Sequence, residues 1–249
     1  MDFNLAVAAI IAAPFIGSFL AVVVLRQPQG RPILWGRSEC DACHRVLGPA
    51  ELIPLVSYAV QRGRCRHCGA AIDPLHPIME AGALVLAVWA AFVTTGWVLA
   101  ASCLLGWTLL TLAAIDWRTG LLPDVLTLPL VVAGLAVAWL IDPGAIGAHA
   151  IGAVGGFVGF WALAEFYRRL RGRDGLGLGD AKLLAASGAW LGWMALPSVI
   201  LFAAIVGLAL AMAQRLRGET IETTSRIAFG PALAAATWIV WLYGPLVAG

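Results

Sequence analysis

Gly177-Leu178-Gly179-Asp180-Ala181-Lys182-Leu183-Leu184 opens an apolar run that extends to Leu191. Asp180 therefore stands where a glycine-rich segment turns into a hydrophobic helix. A second aspartate, Asp116, closes an earlier apolar run from Trp97 to Ile115. A carboxylate in or beside a bilayer is expensive and by default marks function. Two of them, brought to a membrane edge by separate helices, point to acid–base chemistry.

The surroundings of the pair are those of an integral membrane protein. Hydrophobic residues make up 61% of 249 positions and charged residues only 12%, against the ~25% usual in soluble domains. The first apolar run, Leu5 to Leu25, is long enough to cross about 30 Å of hydrocarbon. No basic residue precedes it and no small-residue cleavage site follows, so it reads as a first span rather than a signal peptide. Further apolar segments cover 78–93, 97–115, 124–141, 150–166, 180–191, 197–212 and the stretch from Phe229-Gly230-Pro231 to the C-terminus. The expected fold class is an all-α polytopic membrane protein of about eight transmembrane helices with a small loop domain. Segment 180–191 is the shortest and reads equally as a half-helix. The expected organisation is a first transmembrane helix (1–25), a cytoplasmic zinc-binding loop domain (26–77) and a membrane-embedded catalytic domain (78–249). Pro123 stops one segment, and Asp124 is placed to cap the next. Gly152, Gly155, Gly156 and Gly159 predict a close-packed helix face.

Lys182 is the single lysine among sixteen basic residues. These cluster at 26–66, Arg118, 168–173, Lys182, Arg215–Arg217 and Arg226, which are alternate junctions between apolar runs. That positive-inside pattern places both termini outside and the basic loops in the cytoplasm. Basic residues spread along membrane junctions touch lipid heads and give no reason to expect nucleic acid. The pattern also places Asp116, Asp124 and Asp180 at the cytoplasmic edge.

Two carboxylates held close together cannot both ionise easily and share a proton. The ionised member can take a proton from water while the protonated one polarises a peptide carbonyl. This is aspartic-protease chemistry. Asp180 opens a helix and lies two residues from Lys182, which favours it as the base. Asp116 closes a helix, where the macrodipole disfavours charge, which favours it as the acid. Gly177 and Gly179 read as a hinge or a strip along which a substrate backbone docks. Lys182 and Asp124 are support residues: Lys182 either tunes Asp180 or snorkels to lipid heads.

Cys40-Asp41-Ala42-Cys43 and Cys65-Arg66-His67-Cys68 form paired C-x2-C knuckles. Thiolates at this spacing can close on one tetrahedral Zn2+. A loop of this size needs such a staple, and a reducing cytoplasm argues against disulfides. Reduced thiols without metal, or a redox pair, are the alternatives. His44 and His67 border the knuckles as bystanders, and Cys103 reads as a packing residue.

The ordered set Gly17-Ser18-Phe19-Leu20, the paired knuckles, Glu51-Leu52-Ile53-Pro54, Arg62-Gly63-Arg64-Cys65, Asp116, Leu122-Pro123-Asp124, Gly177-x-Gly179-Asp180-x-Lys182 and Phe229-Gly230-Pro231 resembles the bacterial type IV prepilin peptidases over nearly the whole chain. The resemblance implies an inner-membrane aspartic protease with Asp116 and Asp180 catalytic. It would act on prepilins or type II secretion pseudopilins, after the glycine ending a basic leader, in contact with pilus or secretion assembly machinery. It also implies S-adenosylmethionine-dependent N-methylation of the new terminus by the cysteine-bearing loop, with Glu51 near the amine. The chain departs from the family pattern at Ala21, usually asparagine, and at Arg26-Gln27-Pro28. Both changes lie beside the loop, so the alternative is a peptidase without methylation. A proton-coupled transporter would instead place its acids deep within spans and show internal repeats. An assembly scaffold anchored by the knuckle would leave the aspartates without a role.

Overall fold

A computed structural model describes residues 3–33, 35, 37–172, 177–216 and 229–246. Arg173, Arg217, Arg226 and Gly175 of the sequence reading lie outside the described residues. Among those described, the regular structure is helical, with two isolated antiparallel bridges. In lipid a helix satisfies all its backbone groups internally. The helices are α1 (Phe3–Arg26), α2 (Val56–Val60), α3 (Leu75–Val93), α4 (Gly96–Thr119), α5 (Asp124–Ile141), α6 (Ile146–Arg171), α7 (Leu178–Leu191), α8 (Leu196–Leu216) and α9 (Gly230–Tyr243).

Six of them, α1, α3, α4, α5, α6 and α8, are long and apolar enough to cross a membrane. Among the described residues the expected count of eight is therefore not confirmed. Both α7 and α9 have 14 residues, about 21 Å at 1.5 Å per residue, short of a ~30 Å hydrocarbon core. Helix α4 also runs past Asp116 to Thr119, and α6 begins at Ile146 and runs to Arg171, beyond the boundaries read from hydropathy.

The chain divides into two compact units, Met1–Thr111 and Leu112–Gly249. In the first, α1 lies against α3. Gly17 permits this: a Cβ there would stand 2.5 Å from the Met79 carbonyl oxygen and 2.6 Å from Glu80 Cα. The Trp107 indole N–H of α4 donates to the Ala83 carbonyl of α3. The loop before α3 carries α2 and two knuckles of matching form. Each is closed by a bridge, Glu39 to Val46 and Arg64 to Ala71. Each turns through a left-handed residue, His44 at φ 55° and Gly69 at φ 72°.

In the second unit α7 is the central element. Asp180 and Ala181 are buried, as is every residue from Leu183 to Trp190. Burial of nearly every side chain by protein places α7 in the interior of the helix bundle. Helices α5, α6 and α9 pack around it. The Trp190 N–H donates to the Leu130 carbonyl of α5, its ring meets Trp241 edge-on, and the Ser187 and Thr237 hydroxyls are 2.6 Å apart.

The glycine face of α6 is narrower than its composition predicts. Gly152 and Gly156, one turn apart, press onto the α7 backbone at Gly188 and Leu184, whereas Gly155 and Gly159 meet nothing within 4 Å. A Cβ at Gly188 would overlap the Gly152 carbonyl. Gly188→Val is expected to destabilise the protein by more than about 3 kcal/mol, since two helix backbones must separate. Thermal unfolding in detergent reads this, and an unchanged midpoint would disprove the close contact.

Candidate active site

The catalytic candidates are both buried in the second unit, Asp116 with 6% and Asp180 with 9% of their surface exposed. Asp116 comes from the last two turns of α4 and Asp180 from the first turn of α7. Their carboxylates interact electrostatically. The Gly230 backbone N–H donates to Asp116 Oδ2 at 3.0 Å. A Cβ at position 230 would stand 2.6 Å from that oxygen, so only glycine lets the α9 N-terminus reach the carboxylate. Asp180 sits three residues after the helix-capping Gly177, whose carbonyl accepts the Asp180 N–H at 3.1 Å. Position 180 faces the positive end of the α7 dipole.

Three motifs that sequence reading could only set in order meet here. Leu122 packs on Gly179, where a Cβ would come within 2.8 Å of the leucine Cβ. Pro123 precedes α5 in an extended conformation and is its capping residue. Asp124 Oδ1 accepts from Lys182 Nζ. Leu122 and Asp124, on either side of Pro123, thus hold the N-terminus of α7 around Asp180, while Phe229 stacks on Phe160 at 6.4 Å and leads into Gly230.

Several local expectations are corrected by this arrangement. Asp124 does not cap α5; it is the first helical residue, and its side chain goes to Lys182. Lys182 pairs with Asp124. Gly179 serves close packing, whereas Gly177 has an ordinary extended backbone at φ −78°. Asp116 is not the terminal residue of its helix. The helix-end grounds stand, since Asp180 lies in the first turn of α7 and Asp116 in the last turn of α4, whereas the Lys182 ground does not, and the two carboxylates are treated as a unit.

The Asp124–Lys182 pair is partly exposed, so its direct contribution to stability is small, ~1 kcal/mol or less. It ties the turn that carries Asp180 to the start of α5. Lys182→Ala is expected to lower kcat about tenfold with the unfolding midpoint nearly unchanged. The exchanged pair Asp124→Lys with Lys182→Asp is expected to recover most of that loss. An exchange no better than either single change would show that the pairing itself is unimportant.

The first unit holds a second constellation. The Sγ atoms of Cys40, Cys43, Cys65 and Cys68 all lie within 4.8 Å of one another, and Cys40 and Cys68 are 3.8 Å apart. Four sulfurs at ~2.3 Å from one ion are themselves about 3.8 Å apart, so the donor set fits tetrahedral zinc. Backbone N–H groups of Cys68 and His67 hold the Cys65 thiol down at about 7, toward the thiolate a metal needs.

Beside the second knuckle, Glu51 Oε2 accepts from the Gly48 N–H at 2.8 Å. Its Oε1 is buried without a hydrogen-bond partner, with His67 Nε2 3.7 Å away. Glu80 Oε2 accepts from the Leu55 N–H at 2.7 Å. Glu80 carries no role in the sequence reading; an acid within an apolar helix was the available signal.

Two buried aspartates, brought by separate helices of a polytopic helical protein, are a candidate acid–base pair of the kind that an aspartic peptidase uses. Residues 11–94 match the Bacterial Peptidase A24 N-terminal domain, and residues 103–212 match the Type IV leader peptidase family. The chain is 39% identical to the prepilin leader peptidase/N-methyltransferase of Burkholderia pseudomallei (strain K96243) over 95% of its own length and 84% of that protein. It is 43% identical to that of Aeromonas salmonicida over 84% and 72%, and 36% identical to that of Pseudomonas aeruginosa over 92% and 87%. No solved structure matches the chain. The chain belongs to the type IV leader peptidase family.

Proposed function

We propose that the protein cleaves the basic leader of type IV prepilins or type II secretion pseudopilins with Asp116 and Asp180, then methylates the new N-terminal amine. The observation that carries the peptidase reading is that Asp116 of α4 and Asp180 of α7 are both buried in the same unit, with the Asp116 charge weighing on Asp180. One carboxylate takes a proton from water as that oxygen attacks the scissile carbonyl. The other, protonated, donates to the carbonyl oxygen and afterwards a proton passes to the leaving amine. Burial keeps bulk water from screening these charges. The Gly230 N–H holds one oxygen of Asp116 in place, and the Leu122–Asp124 clasp positions Asp180. The positive-inside charge pattern supports a cytoplasmic-facing site in the bacterial inner membrane, with lipid heads against the basic loops and the pilus or secretion machinery receiving the product.

The methyl-transfer reading is supported by Glu51 Oε1, a buried acceptor without a hydrogen-bond partner and suited to an ammonium group. S-adenosylmethionine, when bound, supplies an electrophilic methyl group. Glu51 would hold the substrate amine and take the proton it must lose before it can attack. The four cysteines would carry structural zinc and fix the loop. Mass spectrometry of a prepilin incubated with purified protein is expected to show the shortened chain, with one added methyl only when S-adenosylmethionine is present. Cleavage without the methyl would leave a peptidase alone.

A further inference from the structure

Leu55 has φ 62° and ψ −47°, a conformation that costs a branched residue of order 1–3 kcal/mol. The tight turn is closed by the Val56 N–H donating to the Pro54 carbonyl at 2.6 Å, a three-residue turn of the rare, strained hand. Such a turn persists only when its surroundings impose it. The group that does so is identifiable. Glu80, with 6% of its surface exposed, directs Oε2 at the Leu55 N–H at 2.7 Å. Glu80 is itself held from behind, because α1 approaches its Cα at Gly17 so closely that a Cβ would stand 2.6 Å away. The same turn lies four residues after Glu51, whose buried Oε1 is left without a hydrogen-bond partner.

We propose that Glu80 is a positioning residue for the methyl-transfer site: its buried carboxylate holds Leu55 in the left-handed turn and thereby sets where Glu51 Oε1 points. This rests on the reading of the 26–77 loop as the methyl-transferring part. A rigid transmembrane helix supplies the anchor, so the short loop need not fix Glu51 by its own packing.

Amide exchange on the zinc-bound protein in detergent tests the geometry without any substrate. In Glu80→Ala, exchange across residues 53–57 is expected to rise at least tenfold. In Glu80→Gln, whose side-chain oxygen still accepts, it is expected to stay near wild type. Methyl transfer in Glu80→Ala is expected to fall about a hundredfold, the size of effect that an ångström-scale misplacement produces, while leader cleavage by the same preparation is kept. Adding Leu55→Gly, which enters the left-handed region freely, is expected to recover at least tenfold of the lost methyl transfer. A merely structural role for Glu80 would not yield to a change at Leu55. Unchanged exchange in Glu80→Ala overturns the inference, as does failure of Leu55→Gly to rescue. If wild type transfers no methyl, or Glu51→Ala transfers it at full rate, the functional reading of the loop fails and the role of Glu80 in methyl transfer fails with it. Full transfer by Glu80→Ala where Glu51→Ala has lost it overturns the positioning role alone.

Discussion

Asp180→Asn and Asp116→Asn are each expected to lower leader cleavage at least about 10⁴-fold, ~5.5 kcal/mol of transition-state stabilisation. An amide keeps the size and hydrogen bonding of a carboxylate but cannot take a proton from water or cycle between acid and base. The surviving partner cannot perform both halves of the reaction at once. Because the two groups act as one unit, the double variant is expected to lose no more than about tenfold beyond the worse single one. Both variants should fold, since replacing one of two buried, interacting acids removes a source of repulsion; the unfolding midpoint is expected to hold or rise. Steady-state cleavage of a prepilin-derived substrate measures the loss. Residual activity above one hundredth of wild type in either variant would remove that aspartate from the chemistry.

Stripping the metal is expected to separate the two activities. Cys65→Ser removes a buried sulfur from the set of four. Metal binding by such a loop is also its folding energy, on the order of 10 kcal/mol in comparable small zinc sites. The loop has little else to hold it: two isolated bridges, a five-residue helix and few buried apolar side chains. The variant is expected to bind no zinc, to be cut by protease within residues 37–72, and to lose methyl transfer by more than a hundredfold. Cleavage should stay within severalfold of wild type, because both aspartates belong to the second unit. Zinc by atomic absorption and both activities on one preparation decide this. Full methyl transfer by the zinc-free protein would deny the loop its role.

Much of the fold was legible because membrane helices announce themselves. α5 was read at its observed boundaries, Asp124 to Ile141, since a proline and a charge mark its start and an aspartate its end. The boundaries of α4 and α6 were misplaced because polar residues can stay helical for another turn beyond the apolar run, as Asp116-Trp117-Arg118-Thr119 do. The short helices were harder. Hydropathy cannot distinguish a lipid-facing segment from one wrapped by other helices, and α7 is wrapped by α5, α6 and α9. The cysteine set was readable from spacing alone. The matching left-handed turn at His44 was not, because its residue type is not glycine.

From sequence alone came the class of protein, the pair of aspartates, the cysteine set and the order of motifs. These follow from composition and local spacing, which survive without coordinates because lipid insertion and metal geometry restrict what such patterns can form. Tertiary structure decided the pairings. Lys182 belongs to Asp124, Gly230 to Asp116, Leu122 to Gly179 and Glu80 to Leu55. Each joins residues at least 25 positions apart in sequence. No local periodicity encodes such a contact; it exists only once helices have packed closely enough for a glycine to let one backbone reach another side chain.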